Sequence, residues 1–291
     1  MRNNKTHILI LAVGLLLVSC VKESIYDTSH PTQGEVVVTA DWSGISKDAV
    51  VPANYILSVN GVKQMVYGAT NTFENLLDPN NYNLLVYNTP ENVVIDGTTA
   101  TINEKADGTL ELFPGYLFSA TKDLNVVQDN VLCVNMKMVQ SIQTLVIVLR
   151  LNPGDDARVV SNNALLSGVA NTIDLTTGKP NVLGLGKSAK PIFELKMVDD
   201  KGASSYPILT SDALHLAGFV SGVKQVLTLS VSLNNGTTQN IDTDLTLLLK
   251  DFGVNNNPMA LYADLTLPSE GNVTGSISNW ELIDNGNINI N

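Results

Sequence analysis

The sequence predicts an all-β protein built as two tandem sandwich domains. Three observations predict it. Short runs rich in Val, Ile, Leu, Thr and Tyr recur at about the 8–12-residue spacing of strands and turns in a sandwich. Asn-Gly and Asp-Gly pairs, the dipeptides that favour tight hairpins, separate several of these runs. No long stretch carries the 3.6-residue period of an amphipathic helix. With 291 residues, 44% hydrophobic and 15% charged, the chain can fill one or two cores and carries too little charge for disorder.

The N-terminus reads as a targeting segment. Met1–Thr6 carries Arg2 and Lys5 and no acid, and Ile8–Val18 is an unbroken apolar or glycine run. That run falls short of the ~20 apolar residues a membrane-spanning helix needs, so it reads as the core of a secretory signal. It ends in Leu17-Val18-Ser19-Cys20, which resembles a bacterial lipobox. The resemblance implies cleavage between Ser19 and Cys20 and acylation of the Cys20 thiol. The expected organisation is a signal peptide over 1–19, a lipidated tether over 20–34, and sandwich domains over 35–137 and 138–291. Ser24–Gly34 suits a tether because its Ser, Thr, Asp, Pro and Gln leave little to bury.

Strands follow in order. Glu35–Trp42 is the first. Tyr55–Val59, Asn60-Gly61 and Val62–Tyr67 form a hairpin, and Tyr82–Tyr87 comes next. Val93–Ile95 turns through Asp96-Gly97 into Thr99–Ile102, and Asp107-Gly108 is expected to lead into a strand over Thr109–Phe113. Cys133 lies in the apolar run Val131–Val134 and reads as a buried small hydrophobe. Leu145–Leu149 is apolar on both faces, the mark of a central strand, and Asn152-Pro153-Gly154 ends it. Further strands are expected over Asn171–Leu175, Ile192–Val198, Val226–Leu233, Ile241–Leu249, Ala260–Leu267 and Gly275–Leu282. Asp200-Lys201-Gly202 and Asn235-Gly236 read as turns. In the Val226–Leu233 strand, Val231 and Leu233 alternate with Ser230 and Ser232, so one face is wet. Ser211–Val220 is the best candidate for a short helix. The tail Gly286–Asn291 alternates polar residues with Ile288 and Ile290, so it could be a last strand of its own sheet or a segment that pairs elsewhere.

Charge and motifs exclude several chemistries. Asp and Glu number 28 against 17 Lys and Arg, a net charge of -11, and the arginines are Arg2, Arg150 and Arg158. A nucleic-acid binder needs a basic footprint that this chain lacks. His7, His30, His215, Cys20 and Cys133 are scattered without zinc-ligand spacing. Gly184–Ser188 lacks the first glycine of a phosphate loop, whose position holds Asn181. Gly218–Gly222 is not a nucleophile elbow. Asp155-Asp156 and Asp199-Asp200 read as turn residues. Asp242 and Asp244 share one strand face, read as solvated rather than as a glycosidase pair, which needs a cleft. Trp42 and Trp280 read as packed, with a sugar-stacking platform as the alternative. No cofactor and no enzymatic activity is expected.

A family resemblance adds to this. Val21-Lys22-Glu23 resembles the surface-export signal of Bacteroidetes lipoproteins. After it come Gly34–Val38 with Asp41-Trp42-Ser43, then Phe73–Pro79 and Tyr82–Pro90, then Leu165–Ala170, Ile173–Gly178 and Ile277–Trp280. In order and spacing these segments resemble the fimbrillin superfamily of Bacteroidales, nearest to its lipoprotein fimbrial anchor and accessory subunits. The resemblance implies transthyretin-like, Greek-key sandwiches and a lipid-anchored place on the outer membrane. It also implies assembly with other pilus subunits, the major fimbrillin among them, by strand exchange. One departure matters. Stalk subunits of that family are opened by an Arg-specific protease near the first strand, and no Arg lies between Cys20 and Leu149. That favours an anchor or accessory role. The alternative is a surface polysaccharide-binding lipoprotein, and a glycan or host ligand is a further partner class.

Overall fold

A computed structural model describes residues 32–181, 186–199, 205–268 and 274–283. Apart from one turn of 3-10 helix at Asp156–Arg158, its regular elements are all strands. Through the first half these are β1 (Glu35–Asp41), β2 (Asn54–Val59), β3 (Val62–Tyr67), β4 (Thr70–Thr72), β5 (Asn80–Tyr87), β6 (Val93–Asp96), β7 (Thr99–Ile102), β8 (Phe118–Val126), β9 (Val131–Lys137) and β10 (Val139–Gln140). The second half holds β11 (Gln143–Leu151), β12 (Val159–Val169), β13 (Thr172–Asp174), β14 (Lys179–Pro180), β15 (Lys187–Ala189) and β16 (Phe193–Asp199). It continues with β17 (Ser205–Ser211), β18 (Leu214–Leu216), β19 (Val226–Leu233), β20 (Thr238–Asp244), β21 (Met259–Thr266) and β22 (Ser276–Ile283).

These strands make sandwich-like domains. In the first, sheet β4-β1-β9 faces sheet β10-β8-β5-β2-β3. Between them pack Val36, Val38, Tyr55, Leu57, Leu84, Val86, Phe118, Val134 and Met136. In the second, sheet β16-β17-β11-β21-β22, with β18 also on β11, faces sheet β15-β12-β19-β20. Alternate residues of β11 (Leu145, Ile147, Leu149, Leu151) meet Leu227, Leu229 and Val231 of β19 there. A small sheet, β14-β13-β7-β6, joins the halves by pairing β7 with β13 at Ala100 and Ile173. The larger core runs on into the first half, taking in Ile56, Leu85, Tyr87, Ile102, Leu110, Leu112 and Leu117. This is why β2 and β5 are apolar on both faces: Tyr55 and Leu57 point to one core and Ile56 to the other.

Turn chemistry explains several junctions. Asn60 and Gly61 both adopt positive φ, 45° and 86°, the geometry of the type I′ turn that matches strand twist. β2 and β3 then pair in register from Val59↔Val62 to Asn54↔Tyr67. Between β6 and β7 the loop is Gly97-Thr98, with Gly97 alone at positive φ, 57°, and Asp96 pairing with Thr99.

Four expectations change. Thr109–Phe113 forms no strand, because the Asp107 carboxylate accepts from the Thr109 backbone N–H at 3.0 Å and its hydroxyl at 2.6 Å. That capped turn leaves a single bridge, Glu104↔Leu110. Ser211–Val220 is not helical; Leu214–Leu216 pairs with β11 and buries Leu214 and Leu216 on alternate positions. The Ile241–Leu249 strand stops at Asp244, whose side chain accepts from the Thr246 backbone N–H at 3.0 Å and turns the chain. Cys133 is exposed on the outward side of β9, where Val134 and Met136 take the inward positions, rather than buried as a small hydrophobe. Asp155 does sit in a turn, but it is buried against Arg158 at 2.5 Å.

Candidate functional site

Ser19, Cys20, the Asp200–Gly202 turn, Ile288 and Ile290 lie outside the described residues. Among those described, the feature of most functional interest is β1. Its burial alternates strictly, with Val36, Val38 and Ala40 inward at 0%, 1% and 3% exposure and Glu35, Val37, Thr39 and Asp41 outward. Both its edges are occupied. It runs parallel to β9 through seven residue pairs, Glu35↔Val131 to Asp41↔Lys137, and antiparallel to β4 through three. The Gly34 N–H donates to the Leu77 carbonyl at 2.8 Å, and the Leu77 N–H returns a bond at 2.9 Å. Gly34 has to be glycine: a Cβ there would lie 2.6 Å from Val126 Cγ1 and Val127 O.

The second domain repeats this topology. Its first strand, β11, runs parallel to β21 through seven pairs, Leu145↔Met259 to Leu151↔Leu265. The difference between the two equivalent strands is burial. All of β11 except Arg150 is buried, whereas β1 inserts three small side chains from one face. Of these equivalent strands, β1 is therefore the less deeply buried.

At the far side of the second domain, β22 is an edge strand. Asn279 takes a positive φ of 52°, and the register with β21 shifts between Tyr262 and Asp264. Such a kink blunts an edge against indiscriminate pairing. Residue 283 is the last described residue before the alternating tail.

A second group of residues was invisible to sequence reasoning. Tyr116 and Thr144 both donate to Asp48 Oδ2 at 2.6 Å, and their hydroxyls are 2.8 Å apart. Tyr116 stacks at 4.5 Å on His215, whose Nδ1 lies 2.9 Å from the Pro114 carbonyl. The latch spans residues 48 to 215, so no local pattern could reveal it. Burial opposes the Asp48 charge, but hydrogen bonds from Ser46, Thr144 and Tyr116 outweigh it and lower its pKa. Desolvation and the neighbouring Asp48 carboxylate push the Tyr116 hydroxyl up, so it stays a donor. The Asp48 carboxylate is taken up by these donors.

The other sequence candidates are dispersed. Asp242 and Asp244 are exposed on β20. Trp42 packs edge-on against Tyr55 and Phe118 at 5.7 and 5.5 Å, and Trp280 packs against the larger core. Among the described tyrosines, Tyr67 alone is largely exposed. Among the described residues no group of three or more His, Cys, Asp or Glu could hold a metal ion, and no helix is long and apolar enough to cross a membrane.

No family model matches the chain, and no curated protein matches it by sequence. Solved structures do. The fimbrial anchor protein Mfa2 of Porphyromonas gingivalis superposes with a TM-score of 0.56 at 12% identity, covering 87% of this chain and 98% of that one. A protein described as an adhesin from Bacteroides ovatus gives 0.53 at 15% identity, covering 90% and 98%. One described as polysaccharide-binding from Bacteroides thetaiotaomicron gives 0.53 at 11%, covering 87% and 98%. The chain thus has the tandem β-sandwich fold of Bacteroidales fimbrial and adhesin proteins, over nearly the full length of each.

Proposed function

We propose that the chain is a lipid-anchored fimbrial subunit, an anchor or accessory component, that joins other pilus subunits by β-strand complementation and supports cell adhesion. The observation that supports this most is β1: a one-faced strand of alternating small apolar residues, parallel to its neighbour and hydrogen-bonded on both sides. A groove of that shape accepts any extended segment with the same alternation. Main-chain bonds then supply affinity and the pockets of Val36, Val38 and Ala40 supply register. The tail carrying Ile288 and Ile290 has the same alternation and is the proposed donor. The likeness to Mfa2 and to the adhesins agrees with such a role.

The anchor is proposed at Cys20, cut after Ser19 and carrying palmitate in the outer membrane. Acylation uses the Cys20 thiol, the only cysteine besides Cys133, so the lipidated form excludes a bridge between the two. Several acyl chains on one residue hold a protein stably, at ~0.8 kcal/mol per buried CH2. Residues 35–137 and 138–291 are the proposed structural units.

The deciding experiment is electron microscopy of cells lacking the gene, together with palmitate labelling of the wild type and a variant ending at Ile283. Fibres that lengthen or shed into the medium, a label that Cys20→Ser abolishes, and loss of copurifying fimbrillin on truncation are the expected results. Fibres unchanged by the deletion would overturn the fimbrial reading and leave surface polysaccharide binding in its place.

A further inference from the structure

A cavity of about 820 Å³ opens in the second half of the chain, between the β14 segment and the loops 217–225 and 246–254. Its size lies within the range of about 300–1,000 Å³ typical of small-ligand pockets. Its charge is anomalous. The chain carries 28 acids against 17 bases, yet three lysines, Lys179, Lys224 and Lys250, line this cavity and no acid does.

Two of the lysines have partners, but weak ones. Lys224 Nζ lies 3.2 Å from Asp244, and Lys250 Nζ lies 3.9 Å from Asp251; both pairs are exposed. Exposed pairs of this kind hold their geometry loosely and exchange readily for a better anion. Lys179 has no ion pair among the described residues. The remaining wall is uncharged and mixed, with Gln, Ser and Thr side chains among Val, Leu and Phe. Ser221 and Thr246 add hydroxyl-bearing side chains to it. Phe219 and Phe252, 5.4 Å apart and edge to face, give one apolar surface.

We infer that this cavity is a binding site for an acidic oligosaccharide, a short chain of sugars bearing carboxylates. The lysines meet the carboxylates, Ser221 and Thr246 meet ring hydroxyls, and the phenylalanine pair meets a sugar C–H face. The lining consists chiefly of loops, with short β14 at one side, so it offers side-chain donors rather than a long open strand edge for a peptide. In a chain of net charge -11 the surrounding field repels polyanions, so the lysines act as the local attractor. The site belongs to the folded subunit itself and does not depend on pilus assembly.

The test is calorimetric titration of the full chain with trigalacturonic acid, with maltotriose as the neutral control and hexaglutamate as the acidic peptide control. The expected result is saturable binding of the trigalacturonate that weakens roughly fivefold in Lys179→Ala or Lys250→Ala and falls with added salt. Both lysines are exposed, so melting temperatures should not move, and a loss of binding reads as a loss of contact. Maltotriose should not bind. Equal binding of maltotriose or hexaglutamate, affinity unaltered in both lysine variants, or no saturable binding at low salt would each overturn the assignment.

Discussion

Asp48 shows how one carboxylate ties distant parts of the chain together. It receives two short hydroxyl bonds, one from Tyr116 and one from Thr144, 96 residues away. Hydrogen bonds to a charged group contribute about 1.5–3 kcal/mol each. Asp48→Ala should therefore lower stability by about 2–3 kcal/mol, read as a drop in the denaturation midpoint. The pH dependence follows from the direction of the shift. A carboxylate whose pKa is lowered on folding adds stability that is fully present above its unfolded value of ~3.9 and is lost as pH falls through the folded value. Wild-type melting temperature should fall more steeply below about pH 4 than that of Asp48→Asn, which has no charge to lose. Parallel curves would show that Asp48 is not part of that acid response. Asp41, Asp174 and Asp244 are lowered in the same direction, chiefly by hydrogen bonds from the Ser and Thr residues that follow them, so some acid sensitivity remains in the variant.

At the scale of elements, β1 makes the sharpest prediction. Val38 is 1% exposed at the centre of its strand, facing Tyr55 and Phe118 in the smaller core. Val38→Asp puts a charge there and should abolish the native first sandwich, whereas Val37→Asp on the outward face should cost less than about 1 kcal/mol. Comparing the two by far-UV melting separates alternation from mere strand propensity; equal effects would show that β1 is not inserted as described. The same alternation explains what was legible beforehand. The Asn60-Gly61 hairpin, the Leu145–Leu149 central strand and the wet face of β19 were readable because each carries its cause locally, in a turn dipeptide or a period of two. The Leu214–Leu216 strand was not, since three residues are too few to distinguish a two-residue from a 3.6-residue period. Neither was the loss of a strand at Thr109–Phe113, where the Asp107 side chain overrides the apolar pattern. The parallel pairing of β1 with β9 and of β11 with β21, and the lysine-lined cavity, depend on residues many positions apart, so neither leaves a mark on any short window of sequence.

The whole molecule turns on how the two halves share their interior. Ile56, Leu85, Tyr87, Ala100, Ile102, Leu110, Leu112 and Leu117 belong to the first half by position and to the larger core by contact. The sheet β14-β13-β7-β6 adds backbone bonds across the same junction, where the Ile102 N–H donates to the Asn171 carbonyl at 2.8 Å and the Leu175 N–H to the Thr98 carbonyl at 2.8 Å. A junction of this kind differs from a flexible linker between independent beads. Apolar surface that is buried by a neighbour costs about 25 cal/mol per Å² to expose, and fully exposing several Leu and Ile side chains reaches many kcal/mol, a large share of the stability of a small domain. Two consequences follow for the proposed units 35–137 and 138–291. The full chain should melt in a single calorimetric transition, with the van't Hoff and calorimetric enthalpies equal. The isolated 35–137 unit should bind a hydrophobic dye strongly and melt well below the full chain, because its β2 and β5 lose the cover of one face. Two separated transitions in the intact protein, or an isolated first unit as stable as the whole, would show that the shared core does not couple the halves. Coupling of this sort would suit the proposed place in a fibre, since force applied at either end would be resisted by one cooperative body rather than by the weaker of two.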